Sequence, residues 1–257
     1  MIISVPQLEV LTFIIARIAG IFIQAPIFSS RSIPTFSKTV FIIWLAIILW
    51  FVTPVAPVLP TTLASYVMTL IAEVALGFLI GFISNLVFIA VQSAGEIIDL
   101  QMGLSVASAL DPVFGAVISI VGRLTFFMAL IVFLAFNGHH LLLSAFHQSF
   151  SVIPAGKIAN FGAPNLAIQM MQLGQSLWTI AVQLAAPVVL LIFISDFTFG
   201  IVSRVAPQVN VFMLGFQVKP FLGLFGIMLT LPFMVKYIGK LIENIGGQII
   251  LLLSILK

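Results

Sequence analysis

The chain of 257 residues is 62% hydrophobic and 7% charged, with a mean hydropathy of +1.31, whereas an ordinary soluble domain carries about 25% charge. This excludes a soluble globular domain and points to an integral membrane protein of the all-α class. The net charge of +3 comes from few groups and forms no basic block, which sets nucleic-acid binding aside, and the absence of cysteine excludes disulfides and thiolate chemistry.

The N-terminus, MIISVPQLEVLTF, lacks a basic start and a small-residue cleavage site, so the first hydrophobic run is expected to be retained. That run, Leu8 to Phe28, is apolar except for Glu9 and Arg17 and is long enough to span a bilayer. Arg17 falls near its centre, where an unpaired charge would cost a few kcal/mol or more, about 3 on insertion scales; it is expected to face protein. A polar turn with Arg31, Pro34 and Lys38 follows, then the apolar run from Thr39 to Val58, closed by Pro54, Pro57 and Pro60.

The third run, Thr62 to Val91, is longer than one crossing needs and has Glu73 as its only charge. Gly77 and Gly81 form a GxxxG step that lets another helix approach closely. Next comes QSAGEIIDLQMGLSVASALDPVFG, Gln92 to Gly115, which holds Glu96, Asp99 and Asp111, three of the seven acidic residues of the chain. Its first half keeps helical spacing, with Glu96 and Asp99 three apart on one face. Its second half changes character. Gly103, Leu104, Ser105, Val106, Ala107, Ser108, Ala109, Leu110, Asp111, Pro112, Val113, Phe114 and Gly115 mix small residues with Pro and Gly punctuation and predict a non-helical loop held inside the protein. Non-helical backbone at membrane depth is tolerated only where protein buries it or where it lines a wet cavity, so the loop reads as a pathway or a plug.

Leu124 to Phe136 is a further apolar run ending at Asn137-Gly138-His139-His140. The adjacent His139 and His140 point to different faces and His147 has no acidic neighbour in sequence, so a structural role is expected and no metal site. Ser151 to Asn165, rich in Pro, Gly and Asn, is the clearest loop and divides residues 1–150 from residues 151–257. Leu173 to Ser195 is a fifth run, tolerating Pro187. Asp196 to Pro220 gathers Asp196, Arg204 and Lys219 among helix breakers, and this segment is expected to neutralise the earlier polar one, for example through Arg204 with Glu96 or Asp99. Arg17, Glu73, Glu96, Asp99, Asp196, Arg204 and Lys219 together form the expected buried charge network. A short sixth run, Phe221 to Val235, precedes a tail whose Ile238, Leu241, Ile242, Ile245, Ile249, Leu252, Leu253 and Leu256 share one face of an amphipathic helix. The excess of basic residues on cytoplasmic loops gives no consistent topology here. Arg31 with Lys38 and Lys236 with Lys240 and Lys257 demand opposite parities, so some runs are expected not to cross the bilayer.

PIFSSRSIP, SAGEIIDLQMG followed by Asp111-Pro112, FNGHHLLL and RVAPQVNVFMLGFQVK resemble, in order and spacing, the FliR family of flagellar export-gate proteins, relatives of the injectisome SctT proteins. The resemblance covers about Arg17 to Lys240; Gln217 departs from it, standing where the family usually has proline. It implies a non-enzymatic subunit without cofactors, a P-like part fused to a Q-like part, whose helical hairpins rise above the membrane plane. The implied partners are FliP-like and FliQ-like subunits in a hetero-oligomer, an FlhB-like subunit, unfolded export substrates and membrane lipid. The implied location is the bacterial inner membrane at the flagellar basal body, and the position of the pore plug falls on Gly103 to Gly115. An alternative is a secondary transporter coupling ions through Glu96 and Asp99. An intramembrane enzyme lacks support, since no HExxH and no GxSxG arrangement is present.

Overall fold

The structure is a computed structural model that describes residues 5–30, 33–53, 59–105 and 119–257. Arg31, Pro54, Pro57 and residues 106–115 of the expected plug lie outside the described residues. Seven long helices account for most of the rest: α1 (Val5–Gln24), α2 (Thr35–Trp50), α3 (Leu63–Met102), α4 (Ile120–Ala135), α5 (Gly138–Val152), α6 (Pro164–Val205) and α7 (Val211–Leu256). The protein is all-α, as its oily runs predict. By length and composition α1, α3, α6 and α7 can each cross a membrane, and α4 with α5 would make a fifth crossing; α2 is shorter, at 16 residues.

Several predicted boundaries move. The run from Phe221 to Val235 and the amphipathic tail are one helix of 46 residues that contains Pro220 and Pro232. Asp196 to Pro220 is mostly helical as well, and the chain leaves helix only at residues 206–210. Pro is tolerated in such helices because neighbouring groups satisfy the freed carbonyls. Helix α5 has no counterpart among the predicted runs: its mixture of His, Ser and Gln hides one apolar face of Leu142, Ala145, Phe146 and Phe150. It starts after Asn137, whose φ of +53° breaks the chain away from α4.

The chain forms two compact units, each assembled from separate stretches of sequence. The first comprises residues 1–86, 136–173 and 242–257. Its core follows the helical period along α1, with Val10, Phe13, Ile14, Arg17, Ile18 and Ile21 all buried. Here α1 and α3 meet backbone to backbone. A side chain added at Gly77 would strike the carbonyl of Arg17, one at Gly81 the carbonyl of Ile21, and one at Gly20 the carbonyl of Val74. The GxxxG step is therefore an intramolecular contact, and its closeness needs glycine on both helices. The amphipathic stripe of α7 is buried as its spacing predicts: Ile242, Ile249, Leu252, Leu253 and Leu256 are each sealed from solvent. The backbone N–H of Asn160 caps the end of α7 by donating to the Leu256 carbonyl at 2.9 Å.

The second unit comprises residues 87–135 and 174–241. Phe88, Ala94, Ile98 and Met102 of α3 and Val121, Ala129 and Phe133 of α4 are buried, and the Phe88 and Phe133 rings meet edge to face with centroids 5.4 Å apart. Gly95 sits against Gly122, whose Cα would lie 2.7 Å from an added Cβ, so α3 and α4 also touch through glycine.

Candidate functional site

The charged residues singled out by sequence do not converge on one network among the described residues; they fall into separate centres. In the first unit, the Arg17 Nε donates to Glu73 Oε2 at 2.6 Å, and both side chains are fully buried. Arg17 Nη1 also donates to Ser149 Oγ at 3.2 Å and to the Ile153 carbonyl at 3.0 Å, and the guanidinium lies 4.2 Å from the centroid of the Phe150 ring. The second carboxylate oxygen of Glu73 accepts from the Gly156 N–H at 2.9 Å. One ion pair thus ties α1, α3, α5 and the following loop together. Nη2 of Arg17 has no hydrogen-bond partner among the described residues. Neither Ser149 nor the 153–156 backbone is visible to sequence reasoning as a partner, since uncharged groups far away in the chain leave no charge signature.

In the second unit, Lys219 Nζ and Asp196 Oδ1 pair at 2.7 Å, with both side chains part-exposed, not buried as expected. They border a cavity of about 590 Å³ that also touches Gly103, Gly200, Ser203 and Phe216. Gly103 ends α3 with φ of +81°, a conformation glycine adopts without strain. Arg204 is exposed at the end of α6. Among the described residues it forms no ion pair with Glu96 or Asp99.

Those two carboxylates differ sharply. Glu96 is exposed and accepts from the Gln92 amide one turn earlier, at 2.9 Å. Asp99 is buried, 2% exposed. Its Oδ2 accepts from the Ser105 hydroxyl at 2.8 Å, and its Oδ1 accepts from the Val121 N–H, in the first turn of α4, at 3.2 Å. Three residues along a helix turn through about 300°, so Glu96 sits at the rim of the face whose middle Asp99 occupies. The carboxylates do not form the joint site that ion coupling through both would require, and among the described residues no cluster of His, Asp and Glu could hold a metal ion.

The apolar surface carries as much information as the charges. Along α6, Trp178, Leu190, Phe193, Ile194 and Phe197 are exposed, and along α7, Phe221, Phe225, Met228 and Leu229. Exposed apolar area on this scale belongs against lipid or other protein. The family model of bacterial export proteins, family 1, matches residues 8–245. The chain belongs to this family. It is 35% identical over 204 residues to the flagellar biosynthetic protein FliR of Bacillus subtilis (strain 168), covering 79% of this chain and 78% of that protein. It is 30% identical over 237 residues to FliR of Escherichia coli (strain K12), covering 89% and 87% respectively. The surface presentation of antigens protein SpaR of Shigella sonnei is 29% identical over 153 residues, 60% of this chain and 58% of SpaR. The FliR-like motifs quoted above thus lie within a family match spanning nearly the whole export protein, and its apolar helices make it a membrane protein.

Proposed function

We propose that this export protein is a non-enzymatic subunit of the flagellar type III protein export gate. In this reading it assembles in the bacterial inner membrane, at the flagellar basal body, with FliP-like and FliQ-like subunits and an FlhB-like subunit, and unfolded substrates pass through the channel they form. The family match across residues 8–245 carries the proposal. The exposed apolar faces of α6 and α7 support it, because they need cover that the described residues do not supply. Residues 1–150 would form the N-terminal helical hairpins with the plug loop, and residues 151–257 the C-terminal hairpin with its amphipathic tail helix.

The loop from Gly103 to Gly115 would plug the closed pore. Its small residues allow tight backbone packing in a narrow lumen, while Leu104, Val106, Leu110, Val113 and Phe114 would exclude water and ions. Deleting residues 107–114 should leave the hetero-oligomer assembled and raise ion leakage across the membrane. Phe114→Ala should leak less than the deletion, and a charge at Val106 or Leu110 more than alanine there. An assembled deletion complex that conducts like the wild type would sink the plug. Purification of the chain as a monodisperse monomer or homo-oligomer, without unlike subunits, would sink the gate.

A further inference from the structure

A charge-free band of nearly bilayer width runs through the second unit. On α7 no residue from 220 to 235 is charged, and at 1.5 Å per residue that stretch spans about 24 Å, close to the hydrocarbon thickness of a membrane. On α6 no residue from 164 to 195 is charged. One edge of the band carries the exposed Trp178 and Tyr237, whose hydroxyl donates to Gln183 Oε1 at 2.6 Å; Trp and Tyr collect at membrane interfaces. The opposite edge carries the Asp196–Lys219 pair, which therefore stands at headgroup depth.

The cavity of about 590 Å³ beside that pair is built from the second unit alone. Leu100, Phe199 and Phe216 give it apolar walls, and Gln101 and Ser203 join the pair as its polar groups. Two glycines keep it open. A side chain added at Gly200 of α6 would have nothing within 4 Å, and one at Gly215 of α7 would meet only the Lys219 Cε, at an ordinary 3.7 Å. Glycine inside a helix is unfavourable relative to alanine, and close contact with another helix is the usual reason for it. Neither glycine makes such a contact, and what both supply is room beside the charges.

We propose that this cavity is a phospholipid site selective for phosphatidylethanolamine, with the headgroup ammonium on Asp196 and the phosphate on Lys219. The headgroup carries one charge of each sign, as the pair does, so binding exchanges one internal ion pair for two charge-assisted contacts and leaves no charge unanswered. Phosphatidylglycerol, an anion without the amine, would bring a like charge to the Asp196 carboxylate. Phosphatidylcholine has no N–H on its quaternary ammonium to donate there. The acyl chains would lie across the uncharged band, on the exposed Phe193 and Ile194 of α6 and Phe221, Phe225 and Met228 of α7. Such binding requires only that α6 and α7 cross the membrane, and it does not depend on the export-gate assignment.

Native mass spectrometry of the detergent-purified protein, alone or with the subunits that copurify, counts the lipids retained from an equimolar mixture of dioleoyl phosphatidylethanolamine, phosphatidylcholine and phosphatidylglycerol. The wild type should retain the first about tenfold over either other lipid, the scale of one hydrogen bond to a charged group. Asp196→Asn and Lys219→Met should each lower its retention about tenfold. Gly200→Leu, which fills the cavity and leaves the pair in place, should abolish retention without lowering the melting temperature, a separation that a merely structural pair would not give. Equal retention of the three lipids by the wild type would overturn the site, and so would undiminished phosphatidylethanolamine on Gly200→Leu. A preference for phosphatidylglycerol would overturn the amine selectivity. Excess glycerophosphoethanolamine, the soluble headgroup, should not displace the lipid; displacement would overturn the bilayer as the source. If Asp196→Asn and Lys219→Met fail to fold, Gly200→Leu alone decides.

Discussion

Glu73→Ala is the change that most directly tests how the first unit is held. It strands the guanidinium of Arg17, which is fully buried, and takes the acceptor from the Gly156 N–H. Removing one partner of a buried ion pair costs about 3–5 kcal/mol, and an orphaned backbone donor about 1–3 kcal/mol. The two penalties overlap, because Arg17 keeps Ser149, the Ile153 carbonyl and the Phe150 ring, so a total of about 4 kcal/mol is expected. That is a large part of the roughly 5–15 kcal/mol that holds a typical fold. Glu73→Gln keeps a neutral acceptor for one of the two donors and should cost about half as much, roughly 2 kcal/mol. Arg17→Met combined with Glu73→Met removes both charges and refills their volume, so the double variant should be more stable than either single one. Thermal denaturation of the assembled complex in mild detergent, followed by circular dichroism, reads all of these variants. Melting of Glu73→Ala at the wild-type temperature would refute the reasoning, and so would a double variant whose loss equals the sum of the singles.

Gly77→Ala should separate α1 from α3 and lower complex yield, since its Cβ meets the Arg17 carbonyl. Gly246→Ala, with nothing within 4 Å, should leave yield unchanged or raise stability by up to about 1 kcal/mol; comparable losses in both would show that the α1–α3 approach is not tight. Lys219→Ala should cost no more than about 1 kcal/mol, with an effect that fades as salt rises, because the Asp196–Lys219 pair is part-exposed. A large, salt-independent loss of melting temperature would mean that this pair is buried by a partner in the assembled gate.

Glu96 and Asp99 show where sequence stops. Their spacing places them near one face of α3, yet one is exposed and the other sealed, because the boundary of the buried face is set by where Gly95 and Gly122 let α4 approach. The sealed stripe of α7 was readable in advance, since Ile242, Ile249, Leu252 and Leu256 repeat at helical spacing and apolar side chains leave water whatever covers them. Helix α5 was not, because its buried face is narrow and its polar residues break the run on which membrane reading depends.

The sequence by itself determined class and family: hydrophobic runs too long and too poor in charge for a soluble domain, with four dispersed motifs in the order of an export protein. It also determined that Arg17 must face protein, because the cost of a buried charge follows from its position in an apolar run alone. Only the tertiary structure decided what answers each charge. Glu73 is 56 residues from Arg17 in sequence and Val121 is 22 from Asp99. Pairing at such distances depends on which helix faces meet, and glycine contacts and side-chain packing fix that in three dimensions. No local pattern encodes it.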